Sequence, residues 1–229
     1  MPLPSYPQSA VAPPLSAPRQ MSALLTSTLL ISTLLTACGA DTTGNSAGTS
    51  ADEAVPADKF LTQIAAYCGQ AFAGQITANE PRSPEPDAFA GKPLVMHVRG
   101  CDAPSREIRI PFHVGEDHSR TWILTRTDSG LRLKHDHRHQ DGSEDAVTMY
   151  GGDTQAAGTE NRQEFPVDQE SISTFTREGL NASLENTWAM EIHPGQYFVY
   201  ELTRPNGRKF RVQFDLTKPV ALPPTPWGY

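Results

Sequence analysis

Phe210-Arg211-Val212-Gln213-Phe214-Asp215-Leu216 alternates apolar and polar side chains without a break. Successive side chains of an extended chain point to opposite faces, so this stretch predicts a strand with Phe210, Val212, Phe214 and Leu216 on its buried side. The same period of two recurs at Leu94, Met96 and Val98, at Ile108, Ile110, Phe112 and Val114, and at Trp188, Met190 and Ile192. Short turn sequences lie between such stretches: Gly115-Glu116-Asp117 followed by His118, Asp128-Ser129-Gly130, and Asn206-Gly207. Connections this short join antiparallel neighbours, so the pattern predicts a meander.

A meander of about eight strands must protect its edges, and closure into a ring does so most completely. The expected fold is therefore all-β, a small calycin-like barrel, with a two-sheet β-sandwich as the alternative. Calycin is an analogy of strand count and rests on no motif. A helix is expected over Pro56–Tyr67, where Phe60, Leu61, Ile64 and Tyr67 form one stripe and Gly69 follows. A second short helix is expected between Asp168 and Glu178, carrying Ile172 and Phe175 and ending at Gly179. Gly151-Gly152-Asp153-Thr154 reads as a turn or bulge.

The chemically richest stretch is Leu131-Arg132-Leu133-Lys134-His135-Asp136-His137-Arg138-His139. With period two, His135, His137 and His139 continue the face of Leu131 and Leu133, while Arg132, Lys134, Asp136 and Arg138 look toward water. Histidines at i and i+2 on a strand have Cα atoms about 6.6 Å apart, close enough for two imidazoles to share an ion. The candidate ligands for zinc or another transition metal are thus His135, His137 and His139, with His97, His113, His118 and Glu144 as further ligands. The competing readings are a hydrogen-bonded interior network with Asp136 or Asp141, a set of pH-sensitive groups, and the solvated end of a hairpin turning at Asp141-Gly142. Other catalytic signatures fail: there is no Gly-x-Ser-x-Gly elbow, no His-Glu-x-x-His and no phosphate loop.

Near the start, Met21 opens a short apolar run that ends in small residues at Ala37 and Cys38. The run is too short to span a bilayer and has the size of a signal-peptide core. Leu35-Thr36-Ala37-Cys38 resembles the lipobox of bacterial lipoproteins. The resemblance implies cleavage before Cys38, acylation of Cys38, and an anchor of two or three acyl chains in a lipid bilayer. Basic residues are scarce before the run, with only Arg19 near Met21, so Met21 is an alternative start. The segment from Gly39 to Ala54 lacks large apolar residues and reads as a flexible tether. Asp41 is not adjacent to Cys38, and the expected address is the periplasmic face of an outer membrane.

Of three cysteines, one is assigned to lipid, which leaves Cys68 and Cys101 for one disulfide in an oxidising compartment. It should join the end of the first helix to a strand. The organisation expected is an extension and signal peptide over 1–37, a lipidated tether over 38–55, one β-rich domain over 56–218 and a Pro-rich tail over 219–229. That tail, ending Trp227-Gly228-Tyr229, cannot extend a sheet but can dock its aromatics as a lid. The net charge of −7 argues against nucleic acid as a partner. Leu131–Thr154 together with Phe210–Leu216 also resembles segments of exported bacterial proteins, which implies a family and no particular activity. The expected role is a lipid-anchored, non-catalytic barrel that holds a small apolar ligand or docks an envelope protein. The alternative is a metal-binding protein or metal-dependent hydrolase using the histidine cluster.

Overall fold

The computed structural model describes residues 55–81 and 88–229. The expected lipidation site Cys38, the Leu35–Cys38 segment and the expected tether as far as Ala54 lie outside the described residues. A helix α1 (Pro56–Ala65) precedes β1 (Ala71–Glu80), β2 (Leu94–His97), β3 (Glu107–Val114), β4 (Asp117–Arg126), β5 (Leu131–His137), β6 (Tyr150–Asp153) and β7 (Arg162–Pro166). A second helix α2 (Gln169–Arg177) and a short 3-10 turn (Asn181–Ser183) lead to β8 (Thr187–His193), β9 (Tyr197–Thr203) and β10 (Lys209–Val220). All pairs are antiparallel in the order β6-β5-β4-β3-β2-β1-β10-β9-β8-β7. Every neighbour in the sheet is a neighbour in sequence except β1 and β10, which join the meander's two halves.

The result is a nearly closed barrel of ten strands, two more than the alternation suggested. The period-two residues face inward as one core that includes Ile110, Trp122, Leu133, Trp188, Val212 and Phe214. Three strands escaped the sequence reading: in β7 only Gln163 and Phe165 are buried, and in β1 and β6 glycines hide the pattern. β1 presents Gly74 opposite Phe214, and a Cβ there would lie 2.6 Å from the Phe214 ring, so a glycine stands where the pattern needs a large residue. β6 contains Gly151 and Gly152, expected as a turn, but both are ladder residues opposite Lys134 and Leu133.

Those glycines mark the seam where the ring closes. A Cβ on Gly152 would fall 1.8 Å from the Pro166 carbonyl oxygen, so the end of β7 rests directly on β6 backbone. The Asp168 N–H donates to Gly151 O at 2.9 Å, and the Gly151 N–H donates to Ser171 Oγ at 2.7 Å. Asp168 also caps α2 by accepting the Ser171 N–H at 2.8 Å, so one cap serves both the helix and the seam.

α1 closes one end of the barrel. Pro56 at its first turn suits the preset φ of proline, and Phe60, Leu61 and Ile64 are fully buried. Asp58 pairs with Arg126 at the end of β4 at 2.6 Å, and Gln63 donates to the Glu160 carbonyl at 2.8 Å. The Cys68–Cys101 disulfide is formed, with Cα atoms 6.2 Å apart. Cys101 lies in the β2–β3 connection and not within a strand.

One expectation about β5 is overturned. Lys134 and Asp136 point outward, yet Asp136 is 1% exposed and Lys134 is 8% exposed. Lys134 Nζ donates to Asp168 at 2.9 Å and Glu170 at 2.8 Å at the start of α2. Asp136 accepts from the Tyr229 hydroxyl and, at 2.9 Å, from Arg138. The tail therefore docks on the outer wall over β3 to β5 and is not a lid over an opening. The sheet itself runs to Val220, two residues beyond the expected domain boundary.

Candidate functional site

The end of the barrel away from α1 is built from the β3–β4 and β9–β10 hairpins, the β5–β6 connection and the segment from α2 to β8. Beneath it lies a layer of polar groups set in aromatic rings. His135 points inward as predicted and is 3% exposed, with its ring stacked on Tyr150 at 4.7 Å. Its Nδ1 is 3.1 Å from Tyr150 O and its Nε2 is 2.8 Å from the Tyr200 hydroxyl. A carbonyl only accepts, so Nδ1 carries the proton and Nε2 accepts from Tyr200. Both nitrogens are thereby committed to protein partners.

His137 lies two residues on, at the same side of β5, with Nε2 3.0 Å from the Tyr150 hydroxyl. Burial pushes the Tyr150 phenol up to about 12, so at neutral pH it keeps its proton and shares one hydrogen bond with His137 Nε2. Burial, then the His137 charge, lowers His135 to about 3, while burial and then Arg120 lower His137 to about 4. Both imidazoles are neutral at physiological pH. A general base works best near the operating pH, so these histidines are poor bases and good hydrogen-bonding scaffolds.

His139, the third expected ligand, is past the end of β5 and exposed, 4.0 Å from Asp145. The turn at Asp141-Gly142 carries it away, with Ser143 donating through its hydroxyl to Asp141 at 2.6 Å. Glu144 pairs with Arg138 at 3.2 Å. The remaining expected ligands are elsewhere: a β-bulge in β4 between the Phe112–Arg120 and Val114–Asp117 pairs turns His118 toward His113, with their Nδ1 atoms 2.9 Å apart. His97 stands near them, and Trp227 packs edge-on against His118. Among the described residues, no three His, Cys, Asp or Glu side chains are grouped to hold a metal ion. The structure thus divides the proposed ligand set into an interior pair, an outer-wall group and an exposed turn.

Over the interior pair is a cavity of about 360 Å³. Its apolar walls come from Phe89, Tyr150, Phe175, Trp188, Tyr200 and Phe210. His137, Asp145, Asn186, Arg204 and Arg208 supply its polar groups. Deeper in, a small pocket of about 80 Å³ touches Trp122, His135 and Arg120 and shares Phe89, His137, Tyr150 and Tyr200 with the cavity. Concave, aromatic walls with few polar groups are the usual form of a small-molecule site. A larger groove of about 570 Å³ lies on the outer wall among Arg99, Asp102, Glu107, Arg109 and Tyr229, where Arg109 is already paired with Glu107 at 2.8 Å and stacked on Tyr229.

Most of the cavity lining was not foreseen. Arg204 and Arg208 flank the Asn206-Gly207 turn, whose sequence announces a hairpin and nothing about a ligand. No family model, curated protein or solved structure matches this chain at a significant level. Among the described residues no helix is long and apolar enough to cross a membrane.

Proposed function

We propose that this protein is a lipid-anchored envelope barrel that binds a small, largely apolar ligand in the open-end cavity without transforming it. The observation that carries the reading is the aromatic cavity of about 360 Å³ over a fixed polar layer. At about 30 Å³ of liquid volume per water, its occupant replaces roughly a dozen waters. Stacking on Trp188, Tyr200 and Phe210 supplies the affinity, and His137 supplies a hydrogen-bonding position. The neutral histidines, with both ring nitrogens of His135 bonded to protein partners, support a binding role over acid–base catalysis. The anchor part of the reading rests on the lipobox at Leu35–Cys38, and Cys38→Ala should move the protein from the membrane fraction to the soluble one.

The binding reading is tested with the neutral fluorophore N-phenyl-1-naphthylamine titrated into the purified protein. Saturable binding of one dye per chain, lost in Leu202→Trp, is the expected result. Leu180→Trp, at an exposed position on the cavity rim, replaces it if Leu202→Trp does not fold. Unsaturable binding, or binding unchanged in a folded cavity-filling variant, would sink the reading.

A further inference from the structure

We propose that the cavity selects an organic anion: a ligand with an aromatic or alkyl body on the aromatic walls and one carboxylate, sulfonate or phosphate held by Arg204 and Arg208. This rests on the binding reading above and adds the charge of the ligand. Both guanidiniums line the cavity and both are half-buried. Among the described residues, neither forms an ion pair with a carboxylate, in contrast to Arg109, Arg120, Arg126, Arg132, Arg138, Arg162 and Arg211.

The partners they do have hold them in place without neutralising them. Arg204 Nε donates to Asn186 Oδ1 at 2.6 Å, and one terminal nitrogen lies 3.5 Å from Ser183 Oγ. Arg208 lies over the Phe210 ring at 5.8 Å, and one of its terminal nitrogens faces the Lys209 and Glu80 carbonyls at 3.1 Å and 3.3 Å. Each fork therefore keeps unspent N–H donors. Burial and the neighbouring Arg208 charge both lower the pKa of Arg204, as two like charges facing a partly dry space should. An arriving anion relieves that repulsion and accepts charge-assisted hydrogen bonds from the two guanidiniums. The one carboxylate among the lining residues, Asp145, already accepts the Val147 N–H at 2.8 Å and bears electrostatically on His137. The cavity is thus polarised, with paired cations at the β9–β10 hairpin and the Asp145–His137 edge on β5 and its following connection.

The test compares two dyes with one skeleton, neutral N-phenyl-1-naphthylamine and its sulfonate, 8-anilinonaphthalene-1-sulfonate. The sulfonate should bind at least tenfold more tightly at low salt, and the advantage should shrink as salt is raised. The Arg204→Gln, Arg208→Gln double variant should bring the affinities of the two dyes to within about twofold of each other, while the double Lys variant keeps part of the sulfonate's advantage. Arg208→Gln alone serves if the double variant does not fold, because its polar contacts are to backbone carbonyls. Equal affinity for the two dyes, or an advantage that survives removal of the guanidiniums, overturns the anion proposal and leaves the binding reading intact. Failure of both dyes to bind overturns the binding reading itself.

Discussion

The two ends of the barrel solve the same geometric problem in opposite ways. At the α1 end, Phe60, Leu61 and Ile64 fill the opening, backed by Asp58–Arg126 and the Cys68–Cys101 bridge. At the other end, comparably large aromatics line a cavity of about 360 Å³ and two cations at its wall lack acidic partners among the described residues. Where side chains meet one another the ring is stabilised; where they are left facing space it is prepared for something else. Stability and binding should therefore respond separately to substitutions at the two ends.

The sharpest contrast comes from Phe60→Ala, which empties a fully buried site and should cost about 3–5 kcal/mol in denaturant unfolding without changing dye affinity. Replacing Cys68 and Cys101 by Ser should cost about 2–4 kcal/mol by freeing the unfolded chain, again with affinity kept. Acid should act chiefly on the open-end half, where His135, His137 and His113 are held below the ordinary histidine pKa. The folded state then binds fewer protons than the unfolded chain once the pH falls below about 6.5. Stability should be full above that pH and decline on acidification toward 4, by up to about 1.4 kcal/mol per pH unit for each such histidine. A melting series over this range in wild type and His135→Gln checks the sign, since the variant should show the shallower decline. Tyr200→Phe, which strips the donor from His135 Nε2, should cost about 1–2 kcal/mol. The smallest effect is Arg208→Gln, expected within about 0.5 kcal/mol in the ligand-free protein, because only surface-type contacts are exchanged. A large loss there would make Arg208 a structural element of the open end.

The strands were legible wherever one residue in two is apolar, as at Ile108–Val114 and Phe210–Leu216, because a half-buried strand writes its exposure pattern locally. β1 was not, since Gly74 cedes its inward place to Phe214 from a strand far along the chain. The inward turn of His135 was readable from Leu131 and Leu133. The burial of Lys134 and Asp136 was not, since what covers them comes from Asp168, Glu170 and Tyr229, distant in sequence. His118 lies apart from the interior pair for a local reason: a single extra residue in β4 turns it toward His113. The candidate cavity draws on residues scattered from Phe89 to Phe210, and no short window of sequence contains it.

The strand order also has a kinetic consequence. Apart from one pair, every ladder links strands adjacent in sequence, so hairpins can form early at a small loop-closure cost. The exception joins Ala71 with Val220 and Glu80 with Lys209, across nearly the whole domain. We expect this pairing to be the rate-limiting event, with substitutions such as Val212→Ala in β10 changing the refolding rate more than those in the β8–β9 hairpin. Until it forms, two half-barrels coexist on one chain, each with exposed edges, and that interval is when the protein is most exposed to aggregation.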